Sequence, residues 1–122
     1  MRTSQPLAIV IRISNVALTQ PDLNAALGLQ VDRYESSSER AYAQIDIADS
    51  VDHWCAALEC INSIRVVIAR LVSEGVIGAP SLDIAVTISQ SSLSRSWIIP
   101  ADLAAAAGEA GMDIELSVYK TE

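Results

Sequence analysis

The sequence predicts an α+β domain of two layers, a mixed or antiparallel sheet of about four or more strands with one long helix across a face and two short helices. Three observations carry this. Short runs rich in Ile and Val are separated by helical patterns, a strand followed by a proline-initiated helix occurs twice, and one long segment repeats its apolar side chains at intervals of three and four. At 122 residues, 51% of them apolar and 19% charged, the chain suffices for one domain over 1–122 and is too hydrophobic for intrinsic disorder.

Residues 7–14 are dense in Ile and Val with Arg12 as their only charge, which predicts a strand buried on one face and mostly covered on the other. Thr19, Pro21 and Asp22 then supply a polar cap, a first-turn proline and a carboxylate at the positive end of a helix dipole. Leu23, Ala25, Ala26 and Leu27 follow, and Gly28 stops this short helix. Residues 30–40 are polar and serine-rich and read as a loop or hairpin tip. From 41 to 48 the chain alternates, Ala41, Ala43, Ile45 and Ile47 against Tyr42, Gln44, Asp46 and Ala48, which predicts a strand with one wet face.

The long periodic segment runs from about Val51 to Glu74 and closes at Gly75. Its stripe of Val51, Trp54, Cys55, Leu58, Ile61, Ile64, Ile68, Leu71 and Val72 marks an amphipathic helix lying on the sheet. Gly75, Gly78 and Pro80 form its exit, and a strand follows over 82–89. After the polar stretch 90–96 and Trp97-Ile98-Ile99, Pro100-Ala101-Asp102 opens a second short helix ending at Gly108. A last strand over 112–119 alternates Ile114, Leu116 and Val118 against Asp113, Glu115, Ser117 and Tyr119.

The chain also echoes itself. Residues 7–14 align with 82–89, and 22–28 with 102–108, each time as strand, loop, proline-initiated helix and glycine. This reads as two similar β-α-β halves joined by the long helix and sharing one sheet.

Composition excludes several function classes. Eight basic residues, of which only Lys120 is a lysine, stand against fifteen acidic ones for a net charge of -7, so neither nucleic acid nor an anionic membrane is an expected partner, whereas a cationic one is. The first apolar run is broken by Arg12 and reads as neither signal peptide nor membrane span. Cys55 and Cys60 fall on different faces of the long helix and make no disulfide framework, which fits a reducing cytoplasm. His53 is the only histidine, so no zinc site is expected.

No residue set points to catalysis, and no cofactor is expected. His53 reads as an exposed first-turn residue beside Asp52, without the arrangement that activates a nucleophile. Asp46, Asp49 and Asp52 resemble a metal cluster only superficially, because Asp46 belongs to a strand while Asp49 and Asp52 flank a helix N-terminus, where capping and the dipole favour carboxylates. Gly28 and Gly108 stop helices and lie in no phosphate-cradling loop. Trp54 falls on the apolar stripe and is expected in the core. Trp97, after a serine-rich loop carrying Arg95, suits either core packing or a partner anchor. The candidate docking face comprises Asp32, Glu35, Glu39, Asp49 and Asp52, together with Trp97.

The segment Thr19-Gln20-Pro21-Asp22-Leu23-Asn24-Ala25-Ala26-Leu27-Gly28-Leu29 resembles the T-x-P-E-x-I/L-x-x-x-L-G-L opening of a widespread bacterial family of small domains of unknown function. Residues 99–103 and 114–119 resemble that family's closing helix and acidic-hydrophobic strand, while Tyr42 stands where members usually carry tryptophan. Small stand-alone proteins of this kind are frequently immunity proteins encoded beside polymorphic or contact-dependent growth-inhibition toxins. The resemblance therefore implies a cytoplasmic protein that binds a cognate toxin and occludes its active or substrate-binding surface without catalysis, and charge complementarity makes that toxin basic. The alternative is a non-catalytic structural or small-molecule-binding domain. Either reading admits a homodimer.

Overall fold

A computed structural model describes residues 4–121. The element order is β1 (Ala8–Val16), α1 (Gln20–Leu27), β2 (Arg33–Ser36), β3 (Ala41–Asp46), α2 (His53–Ser73), β4 (Ser81–Ser89), α3 (Ala101–Glu109) and β5 (Asp113–Thr121). The five strands form one mixed sheet in the order β2-β3-β1-β4-β5, antiparallel except for the parallel pair β4–β5. This is the expected α+β architecture, with the long helix across one face. The two strands that echo each other in sequence, β1 and β4, are antiparallel neighbours at the centre of the sheet. The second copy of the pattern closes as β4-α3-β5, whereas the first continues from α1 into the β2–β3 hairpin.

Strand alternation sets the layers. Ile9, Ile11 and Ile13 of β1, Ala41, Ala43 and Ile45 of β3, and Leu82, Ile84 and Val86 of β4 share one core with the helices. The buried side of α2 is Trp54, Ala57, Ile61, Ile64, Ile68 and Leu71, a strict three-four spacing. Leu23 and Leu27 of α1 and Leu103, Ala106 and Ala107 of α3 complete the layer. Among the described residues no helix is long and apolar enough to cross a membrane.

The local signals act as their chemistry requires. Thr19 Oγ1 accepts the Asp22 amide at 3.3 Å to cap α1, and Gly28 ends it at φ 73, a left-handed conformation that a side chain would strain. Asp52 caps α2 by accepting the Cys55 amide at 3.2 Å. The register between β1 and β3 shifts by one residue between Ile13 and Val16, at a bulge where Asn15 takes φ 54. The linker after α2 runs along this bulge. The Gly78 amide donates to the Ser14 carbonyl at 2.8 Å, and a Cβ at Gly78 would lie 3.0 Å from that oxygen, so only glycine fits without displacement.

Three expectations are corrected. The stretch 30–40 is not all loop, because residues 33–36 form β2, paired with β3 from Arg33↔Gln44 to Ser36↔Ala41. Its polar composition suits an edge strand with one wet face, and Tyr34 turns inward to donate to the Leu18 carbonyl at 2.7 Å. His53 is buried rather than exposed, with Nε2 3.0 Å from the Ile47 carbonyl and its backbone amide donating to Gln5 Oε1. Val51 and Cys55 of the expected stripe are exposed, since α2 begins only at His53 and its buried side centres on Ala57 and Ile61. The expected last strand is present as β5, and its Ile114, Leu116 and Val118 point to the helix side but remain 37%, 47% and 57% exposed.

The other face of the sheet carries a polar network centred on Arg12. Its guanidinium donates to Asp83 Oδ2 from Nε (3.1 Å) and Nη2 (2.8 Å), and from Nη1 to Tyr42 Oη (2.7 Å) and Gln44 Oε1 (3.1 Å). Ser117 Oγ adds a bond to Asp83 Oδ1 at 2.8 Å, so one network joins β3, β1, β4 and β5. The hydrogen bonds to Asp83 and Tyr42 hold the Arg12 proton more tightly than usual, and the group is charged at any ordinary pH.

Two stability outcomes follow. Trp54 is 3% exposed and its indole N–H donates to the Ser4 carbonyl at 2.8 Å. Trp54→Ala therefore lowers unfolding free energy by about 3 to 5 kcal/mol, measured by denaturant titration. The side chain of Asp83 is 9% exposed against 38% for Arg12. Asp83→Ala strands a half-solvated guanidinium and costs about 1 to 3 kcal/mol, while the double change Arg12→Met, Asp83→Leu recovers most of that loss in the same titration.

Candidate functional site

Polar side chains converge most densely around the first half of α2. The helix begins after the β3–α2 link, and its 3.6-residue period brings Asp52, Cys55 and Glu59 to one side of it. Cys55 Sγ lies 3.9 Å from Glu59 Oε2, one turn on. Two hollows flank this row. One, of about 480 Å³, is walled by Leu29, Ile45, Ile47 and Ala56, with the Asp46 backbone at its rim, and carries the acidic residues Asp32 and Glu59. The other, about 190 Å³, is bounded by Asp52, Trp54, Cys55, Leu58, Pro100 and Asp102.

Local hydrogen bonds fix the far wall of the larger cleft. Asp32, just before β2, accepts the Asp46 backbone amide on Oδ2 at 2.6 Å, while the Asp46 carboxylate turns to the other face of the sheet and accepts Gln44 Nε2 at 2.6 Å. The Val31 amide is held by Asn24 Oδ1 at 2.9 Å, which ties this corner to α1. Both cysteines report the surrounding charge. The Cys55 thiol is pushed up first by the Glu59 carboxylate and then by burial and by Asp52 and Asp102. Burial and then Asp32 push up Cys60. A band of acidic residues thus runs from Asp32 across Glu59 and Asp52 to Asp102. Both cysteines are free thiols, and among the described residues no group of three or more His, Cys, Asp or Glu is placed to hold a metal ion.

The six candidate residues divide between this band and other surfaces. Asp32 and Asp52 belong to it, and Asp49 is exposed on the link that leads into it. Glu35 lies on β2, where Arg33 Nε donates to it at 2.6 Å, and Glu39 is exposed in the hairpin turn. Trp97 occupies a third place. The Ala85 carbonyl accepts the Leu7 amide, and two residues on the Thr87 carbonyl points the same way past the start of β1. The Trp97 indole N–H takes that carbonyl at 3.0 Å, and the Arg95 guanidinium lies over the ring at 4.2 Å. One face and the polar edge of Trp97 are therefore already engaged, and the ring is half-buried against the core.

The band residues absent from the sequence-based set are Glu59 and Asp102. Glu59 is legible in principle, seven positions after Asp52 and four after Cys55, whereas Asp102 joins the band only because α3 packs against α2. No family model matches the chain, and no curated protein or solved structure matches it either.

The charge around Cys55 yields a direct chemical outcome. Because Glu59 is the leading cause of its raised pKa, Glu59→Gln increases the thiolate fraction near neutral pH and speeds alkylation of Cys55 by iodoacetamide. Site-resolved mass spectrometry should show that acceleration at Cys55 and a smaller change at Cys60. An unchanged Cys55 rate would remove Glu59 as the cause.

Proposed function

We propose that this chain is a cytoplasmic immunity protein, non-catalytic, which binds a basic cognate toxin on the acidic band around α2 and blocks its active or substrate-binding surface. The observation that carries the reading is the placement of Asp32 and Glu59 in one hollow and of Asp52 and Asp102 in a second, on either side of the first half of α2, in a chain with net charge -7. Complementary charge of this kind accelerates encounter and orients the partner, while the apolar walls of the cleft supply contact area. The free cysteines suit a reducing compartment, and the resemblance of residues 19–29 to small bacterial domains points to the toxin as the class of partner.

A second reading rests on the larger cleft itself. Its volume of about 480 Å³, with apolar walls and the acidic residues Asp32 and Glu59, suits a small organic cation, which is the small-molecule-binding alternative.

Binding to the product of the neighbouring gene tests the first reading. Reversing Asp49, Glu59 and Asp102 together to Lys lowers the association rate by about tenfold or more at low salt, with a smaller effect on dissociation. Reversing Glu35 and Glu39 does little, because Glu35 is already paired with Arg33. Stopped-flow mixing over a salt series measures both, and survival of toxin-expressing cells follows the same order. Equal binding by the triple reversal defeats the acidic-band mechanism. Absence of any binding by the neighbouring product, with saturable uptake of a polyamine seen by calorimetry, transfers the site to the second reading.

A further inference from the structure

The two edges of the sheet are built differently. β2 is four residues long with Arg33 and Glu35 exposed, the short and charged form that discourages strand addition. β5 is nine residues long, pairs with β4 along its whole length from Ser81↔Asp113 to Ser89↔Thr121, and shows no bulge or proline. Its helix-side residues Ile114, Leu116 and Val118 are the exposed apolar row described above.

Backbone alternation tells which groups on β5 face outward. The Thr121 carbonyl accepts the Gln90 amide at 2.9 Å, so it turns toward β4. Successive residues of a strand direct their amide and carbonyl to opposite edges, so the odd-numbered residues bond to β4. Ile114, Leu116, Val118 and Lys120 then present theirs to the open edge. The residues with free backbone groups are thus the residues with exposed apolar side chains.

We propose that β5 is the seam of a homodimer, pairing antiparallel with β5 of a second copy about a two-fold axis at Leu116 to form a ten-stranded sheet. In this register Ile114 faces Val118 of the second copy, Leu116 faces its counterpart, and Val118 faces Ile114. Six apolar side chains close into one row on the helix side, and each of these three pairs exchanges two backbone hydrogen bonds. On the other face Asp113 meets Tyr119 and Glu115 meets Ser117, with no like charges opposed. Neighbouring registers fit worse. Sliding by one pair in one direction sets Glu115 against Glu115, and in the other sets Lys120 against Ile114. A strand that matches its own reverse in both side-chain and backbone pattern identifies the second copy as its occupant. The seam lies at the sheet edge opposite the β2–β3 hairpin and is argued from β5 alone, so it stands whether or not the proposed function holds.

The test uses the full chain in sedimentation velocity. The unsubstituted protein should be a dimer that dissociates on dilution. Ile114→Glu and Val118→Lys should each weaken it by about tenfold or more, and mixing the two variants should restore a dimer, because the introduced charges face each other only in this register. A monomer at millimolar concentration overturns the proposal. So does a dimer indifferent to both substitutions, or failure of folded variants to complement. Should either variant not fold, amide exchange of the unsubstituted chain decides. Protection at Ile114, Leu116 and Val118 that is lost on dilution supports the seam, and rapid exchange there at every concentration overturns it.

Discussion

Burial on one face only is the constraint around which this fold is arranged. The helices share a single layer, so the strands must place Ile, Leu, Val and Ala on one side and tolerate water on the other. β1 bears this most acutely, since it has a strand on each side and carries a charged residue mid-length on its wet face. Arg12 resolves the conflict by filling its donors laterally, from Tyr42 and Gln44 on one neighbour to Asp83 on the other. The side chain covers the open face while satisfying it, and a sheet of mixed direction is tied together across four strands. Nothing in this network calls for chemistry, because its strongest bonds are already made within the chain.

Legibility in the sequence followed the range of the signal. The start and stop of α1 depend on Thr19, Pro21 and Gly28, all within one turn of its ends, and the structure has them as read. The core side of α2 was readable at Trp54, Ile61, Ile64, Ile68 and Leu71, but not at its N-terminal end, where the chain enters the helix later than its hydrophobicity suggests and His53 is claimed by Ile47 and Gln5. β2 escaped notice because a short wet edge strand has the composition of a loop. β5 shows the limit of a correct reading. Its alternation correctly announced a strand, but alternation reports only which side chains share a face, and whether a helix covers that face is a tertiary matter.

The acidic surface divides along the same line. Asp32 and Asp52 were recognisable as carboxylates flanking polar or capping segments, whereas their association through Glu59 and Asp102 requires the docking of α3 on α2 and the curl of the chain between α1 and β2. Asp52 also caps a helix, so one residue serves the backbone and the surface potential together. Charge reversal is therefore more informative at Glu59, which caps nothing, than at Asp52.

The central position of β1 has a consequence for the order in which the chain is made. Its two sheet partners are synthesised after it, and Asp83, which completes the Arg12 pair, lies 71 residues downstream. At ordinary elongation rates Arg12 would wait about 4 to 14 s for that partner. During that interval the most hydrophobic strand has no complete sheet to enter. The β2–β3 hairpin, a local structure closed by the Ser37 and Arg40 backbone, can shelter one edge of β1 early, leaving the other open until β4 emerges. The stretch of synthesis between α2 and β4 is thus the one in which an apolar strand carries an unpaired edge, the condition that favours aggregation.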